Sequence, residues 1–267
     1  MKLGFIGGGT MAEAIIAGIQ RSGLGGDITV GEPVEARRAD LERKYGVVVT
    51  ADNAKAASGA DIIVLAVKPQ QLDAVVDQIK GTVKPEQTVL SILAGVKMHT
   101  LGVKLDHGRV IRVMPNTPAQ IGQGVCAWAA SPEVPAPVRD FSGRMLDTLG
   151  VQIYMEDEKY VDMALAVSAS GPAYVFMFME SLIDAGVMLG LPRDTAHTLA
   201  QQLIIGSGEL ARQTGRHPAE LRNMVTSPGG TTAAATQVLE ESAFRAAVAN
   251  AARRAWERGE ELGKGSK

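Results

Sequence analysis

The chain has 267 residues, 46% of them apolar, enough for two domains or one large α/β domain with a real core. A net charge of −2 and only 4% aromatic residues exclude the basic footprint of a nucleic-acid binder and the stacking platform of a single-strand binder. Cys126 is the single cysteine, so no intrachain disulfide can form and a reducing, cytoplasmic setting is expected.

Lys2 to Ile6 reads as a short buried strand, followed at once by Gly7, Gly8, Gly9, Thr10, Met11 and Ala12. That is a G-x-G-x-x-A dinucleotide fingerprint, with glycine for the tight turn, glycine for the approach of a pyrophosphate, and alanine for close helix packing. From Met11 the spacing of Ile15, Ile16 and Ile19 is helical, and Gly23 supplies a stop. A second strand over 27–31 ends at Glu32, where a carboxylate can accept hydrogen bonds from the adenosine ribose hydroxyls. Arg37 and Arg38 follow, and serve either as a seat for a 2′-phosphate or as a solvated helix face. The choice between NADH and NADPH stays open on these residues.

Ala60 to Val67 is a continuous apolar strand ending in Lys68-Pro69, after which Leu72, Val75, Val76 and Ile79 fall at helical spacing. Gln87 to Gly95 repeats the pattern, and Arg109 to Met114 forms another strand closed by Pro115 to Pro118. Each strand end alone is a plain turn. Together, Gly7 to Ala12, Glu32, Ala66 to Pro69, Ser91 to Gly95 and Met114 to Thr117 fall where open α/β sheets bind ligands. Asn53 is either a further ribose contact or the cap of a short helix over 54–57. Cys126 sits in an alternating run, as a buried inert thiol would. Runs 125–129 and 151–155 read as the last strands, so a nucleotide domain is expected over residues 1–156.

From residue 157 to 267 the alternation gives way to helices. The first is expected from Glu158 to Val167, broken by Ser168 to Pro172. A second, Ala173 to Gly190, is apolar on most sides and so must be buried, against a partner subunit where the domain itself offers little interior. Arg193 to Gly215 and a short helix from His217-Pro218 to Val225 follow, and then one long helix from Thr231 to about Leu262. Between these last two lies Ser227-Pro228-Gly229-Gly230-Thr231-Thr232, which reads as a loop-to-helix cap or as a seat for a carboxylate at a helix start. His99, His107, His197 and His217 show no paired spacing, so no metal is expected. The strand-like start leaves no room for a signal peptide, and apolar runs such as 60–67 are too short to span a bilayer, so no membrane partner is expected.

The fingerprint, Ala66 to Gln70, Arg112 to Pro118, Ser168 to Tyr174 and Val225 to Thr232, in this order, resemble the pyrroline-5-carboxylate reductases over essentially the whole chain. Ala169 stands where many members have glycine, a minor departure. The resemblance implies an α/β Rossmann-type nucleotide-binding domain followed by an all-α dimerisation domain. It implies NADPH, or NADH, as cofactor and a cyclic imine as substrate. It also implies at least a homodimer, with pentamers of dimers known in the family. Carried over by motif, Gly7 to Ala12, Asn53, Ala66, Val67, Lys68, Pro69, Ile92, Leu93 and Ala94 contact the dinucleotide. Ser227, Gly230, Thr231, Thr232 and Glu158 hold the substrate.

The chemistry fits these residue types. Hydride delivery to the imine carbon leaves the nitrogen to be hydrogen-bonded, a task for the Thr232 hydroxyl, while the Gly230 and Thr231 N–H groups seat the carboxylate. No titrating side chain is needed, because the imine can arrive protonated. Another imine reductase or a β-hydroxyacid-type dehydrogenase of similar plan is the alternative. The latter needs a general base, commonly lysine, and beyond Met155 only Lys159, Lys264 and Lys267 occur. A silent nucleotide-binding sensor would not need the second-half motifs.

Overall fold

The computed structural model describes residues 1–264, which form two compact units, one of residues 1–170 with 254 onward and one of residues 171–253. The first unit is built on an eight-stranded sheet in the order β3-β2-β1-β4-β5-β6-β7-β8. Its strands are β1 (Leu3–Ile6), β2 (Ile28–Gly31), β3 (Val48–Thr50), β4 (Ile62–Leu65), β5 (Thr88–Ser91), β6 (Val110–Met114), β7 (Gly124–Ala130) and β8 (Gly150–Tyr154). The six strands from β3 to β6 in that order are parallel, β7 turns antiparallel to β6, and β8 runs parallel to β7. Helices α1 (Thr10–Ser22), α2 (Glu35–Tyr45), α3 (Asn53–Ser58), α4 (Leu72–Ile79), α5 (Met98–Leu105) and α6 (Ala136–Asp147) connect them.

Alternation along the strands divides the core between the two sheet faces. In β4, Ile62 and Val64 join one cluster with Ile15, Ile16 and Ile19 of α1, whereas Ile63 and Leu65 join another with Leu72, Val76 and Ile79 of α4. A strand buried on both faces needs a continuous apolar run, and 62–65 supplies it. The sequence pattern offers no reading for α5, α6 or β3, the last being three residues at the sheet edge. It touches α2, a highly polar helix with Leu41 its single buried residue, only as a helix face around Arg37 and Arg38.

After β8 the chain enters α7 (Lys159–Ala164), which passes through a π turn over Leu165–Ala169 into α8 (Gly171–Met188). The expected break at Ser168 to Pro172 is therefore a widened turn in a continuous run, closed by the Ser170 N–H donating to Leu165 O at 2.9 Å. Proline at 172 has no N–H to offer the Ser168 carbonyl four residues back. Asn116 Nδ2 donates to that carbonyl instead, at 3.2 Å. By length and composition the run Lys159–Met188 is apolar enough to cross a bilayer, contrary to the reading from uninterrupted apolar stretches.

The second unit contains α8, α9 (Arg193–Thr214), α10 (Pro218–Met224), α11 (Thr231–Glu241) and the first part of α12 (Phe244–Lys264), whose last turns belong to the first unit. The single long terminal helix expected from Thr231 is two helices. Ala243 adopts φ +54°, a left-handed conformation that ends α11 without glycine or proline to announce it. Within this unit Ile183, Ala196 and Ala200 are buried, while Phe176, Met177, Leu199, Leu203 and Met188 stay exposed in the single chain.

Candidate active site

Because β1, β2, β4, β5 and β6 are parallel, their carboxyl ends lie on one edge of the sheet. The topology thus gathers the fingerprint, Glu32, Ala66 to Pro69, Ser91 to Gly95 and Met114 to Thr117 there. Gly7 has φ +96°, and a Cβ on it would lie 2.8 Å from Ala66 O, so only glycine lets the turn close against the next strand end. Gly9 is the N-cap of α1 with no side-chain cap, and nothing lies within 4 Å of where its Cβ would be. The N–H groups of the first turn, at Thr10 and Met11, are thereby left for an outside acceptor such as a pyrophosphate. Ala12 is fully buried, as close helix packing requires.

Glu32 lies against this turn. Its carboxylate accepts the N–H groups of Gly8 and Val34, each at 2.9 Å. Neither arginine is the solvated face the charge pattern allowed. Arg37 donates to Gly8 O at 2.6 Å and pairs with Glu13 and Asp40, while Arg38 donates to the Glu32 and Pro33 carbonyls, both at 2.8 Å. Asn53 is not the cap of its helix: Asp52 accepts the Ala54 and Lys55 N–H groups, freeing Asn53 to reach Gln78 at 2.7 Å. Asn53 Oδ1 stands 2.5 Å from where a Cβ on Gly31 would lie, next to Glu32.

Val67 and Ala66 continue β4 into Lys68 and Pro69, where Pro69 opens a short 3-10 turn as its position suggests. Leu93 points into the core, whereas Ile92 and Ala94 remain half-buried at the edge. A cleft of about 370 Å³ is lined here by Pro69, Gln70, Leu72, Asp73, Ala94, Arg258, Glu261 and Leu262.

In the second unit, α11 begins at Gly230 as N-cap, with no side-chain cap. The hydroxyls of this stretch therefore do not cap the helix as expected. Ser227 Oγ stands 2.5 Å from where a Cβ on Gly230 would lie, and Thr226 Oγ1 donates to Arg222 O at 2.7 Å. Thr231 and Thr232 occupy the first helical positions, where backbone N–H groups have no helical acceptor. An uncapped, glycine-led helix start is a seat for an anion.

Glu158 has another setting. It precedes α7, and its Oε1 accepts both the Met98 N–H at 2.7 Å and Arg112 Nη1 at 2.9 Å. Arg112, fully buried in β6, also donates to Asp162 at 2.6 Å. Sequence reading missed this cluster; the signal available was an arginine inside an apolar strand and two acids four apart on one helix. Cys126 is buried, and desolvation followed by the charge of Asp147 pushes its thiol up to about 12, which leaves it inert at neutral pH. Among the described residues no three His, Cys, Asp or Glu side chains gather as a metal site.

Residues 2–95 match a family model described as NADP oxidoreductase, coenzyme F420-dependent, and residues 158–262 match pyrroline-5-carboxylate reductase dimerisation. The pyrroline-5-carboxylate reductase of Synechocystis sp. is 42% identical, with 99% of each chain covered. The chain belongs to the pyrroline-5-carboxylate reductase family. Its fold follows that of the Coxiella burnetii pyrroline-5-carboxylate reductase at TM-score 0.89 and 34% identity, with 98% of both chains covered. It also follows the Plasmodium falciparum pyrroline carboxylate reductase, solved with NADP bound, at TM-score 0.88, 30% identity and 98% coverage of both chains. The reductase thus pairs the Rossmann-type domain with a helical domain, as its sequence implied.

Proposed function

We propose that this reductase transfers a hydride from NADPH, or NADH, to C5 of 1-pyrroline-5-carboxylate and releases L-proline, the final step of proline biosynthesis. The observation that carries the reading is the presence in one family member of two uncapped, glycine-led helix starts, at Gly9 and Gly230. The first suits a pyrophosphate and the second a small carboxylate.

The open turn at Gly9 and the Glu32 carboxylate fit a dinucleotide, which would be held by Gly7 to Ala12, Asn53, Ala66 to Pro69 and Ile92 to Ala94. When bound, the nucleotide supplies the hydride. The Gly230 N–H is already held by the Ser227 carbonyl at 3.1 Å, so the N–H groups of Thr231 and Thr232 would take the substrate carboxylate, with the Ser227 hydroxyl beside them, and the Thr232 hydroxyl would hydrogen-bond the imine nitrogen. The imine carries its proton in from solvent, so these residues orient rather than titrate. A dehydrogenase needing a lysine base is poorly served. Lys159 pairs with Asp157 at 2.9 Å, a contact that raises its ammonium above the ordinary lysine range, while the Lys264 side chain and Lys267 lie outside what the structure describes.

Assembly as a homo-oligomer is part of the reading, at least a homodimer and, more finely, a pentamer of dimers in the cytoplasm. The exposed apolar side chains of α8 and α9 within the matched dimerisation region support it. The functional reading is tested by following oxidation of NADPH and of NADH, side by side, on adding pyrroline-5-carboxylate. Turnover with at least one is expected; turnover with neither rejects the reading.

A further inference from the structure

The loop after β5, residues 92–97, ends in a set of bonds that the reaction itself does not call for. Glu158 Oε1 accepts the first N–H of α5, that of Met98, while Arg112 holds the same oxygen from beneath. Arg112 is fully buried and its other Nη is fixed by Asp162. Asp162 Oδ2 lies 3.7 Å from Lys97 Nζ, which donates to Glu260 of α12 at 3.2 Å. On the same side, a Cβ on Gly263 would lie 2.8 Å from Gly95 O, so the end of α12 rests directly on the loop backbone. Gly95, Lys97 and Met98 are each gripped.

A buried guanidinium is costly unless its partners are well placed, and an apolar tie between β6 and α7 would hold the two elements as well. Charged bonds add direction. The Arg112 fork fixes Glu158, and Glu158 fixes one backbone N–H at the end of the loop. Movement of Met98 would carry Ile92 and Ala94 with it, since only three residues separate Ala94 from Met98.

We propose that Glu158, set by Arg112, is a positioning residue for the nucleotide loop and acts on dinucleotide binding rather than on the imine. This rests on the reading that Ile92 and Ala94 touch the nucleotide.

The test compares wild type, Glu158→Ala and Glu158→Gln by equilibrium binding of NADPH without substrate, and by the KM for pyrroline-5-carboxylate. Loss of one bond to a charged acceptor predicts an NADPH Kd about tenfold higher in Glu158→Ala, with the imine KM within about twofold of wild type. Glu158→Gln keeps an acceptor for the Met98 N–H and recovers part of the loss. A raised imine KM with unchanged NADPH affinity makes Glu158 a substrate residue and overturns the proposal, as does no change in either. If Glu158→Ala does not fold by circular dichroism, Glu260→Ala carries the test from the other side of the loop. A rise of about threefold in NADPH Kd is then expected, and an unchanged value overturns the proposal. Binding is read without turnover, so a chain that bound NADPH yet reduced no imine would reject the proposed function and leave this inference standing.

Discussion

Thr232 carries the most specific expectation at the scale of single residues. It stands at the second position of α11, beside N–H groups that no side chain caps. On the proposed function Thr232→Ala would remove one oriented hydrogen bond to the imine nitrogen, and kcat should fall about ten- to a hundredfold in steady-state assays. Wild-type turnover in that variant would take Thr232 out of the mechanism. Glu32 concerns the other ligand. Its carboxylate is held by the Gly8 and Val34 N–H groups at the end of β2, and on the proposed placement of the adenosine ribose its negative charge opposes a 2′-phosphate. Glu32→Gln removes the repulsion, so the ratio of NADPH to NADH affinity should rise about tenfold in fluorescence titrations. An unchanged ratio would place the discrimination elsewhere.

Among elements, the contact between the loop after β6 and the π turn joins two motifs that are far apart in the chain. Asn116 accepts the Val125 N–H at 2.9 Å and donates to the carbonyl that Pro172 leaves bare. Asn116→Ala should cost about 1–3 kcal/mol, read as a lower denaturation midpoint at constant m-value. The junction of α1 and α2 gives a pH dependence. Burial alone would raise Glu13, but hydrogen bonds from Arg37, Tyr45 and Lys44 outweigh it and hold the carboxyl below its ordinary 4.5. A depressed acid contributes stability above its unfolded value and loses it as pH falls through the folded one. The first unit should therefore weaken below about pH 4.5, and Glu13→Gln should flatten that limb of a thermal-melt series.

How much of this was legible depends on the range of the interaction. Glycine and proline act locally, so Gly7, Pro69 and the Gly229-Gly230 pair were readable, and short continuous apolar runs bounded by turn residues marked the parallel strands whose ends share one sheet edge. The polar helix α2 and the three-residue β3 offer little periodicity, and the left-handed Ala243 has no residue signal at all. Arg112 meets carboxylates 46 and 50 residues away, and no local pattern reports such a pairing. The hydroxyls before α11 illustrate the opposite error. Their residue types suit capping, yet glycine takes the cap position and leaves the helix start open.

For the whole molecule, the exposed apolar surface of the second unit predicts the assembly. Met177 is 66% and Phe176 55% exposed in the single chain. Burying such a side chain is worth about 1.5–3 kcal/mol, counted twice across a two-fold interface. Phe176→Glu should thus weaken association about a thousandfold or more and yield smaller species in sedimentation velocity. An unchanged oligomer would remove this face from the interface. The reaction is tested most directly by supplying NADPH with deuterium at both nicotinamide C4 positions together with pyrroline-5-carboxylate and examining the proline by mass spectrometry and NMR. Deuterium at C5 of L-proline, formed in step with nucleotide oxidation, is the expected result; proline without deuterium, or oxidation without proline, would contradict it.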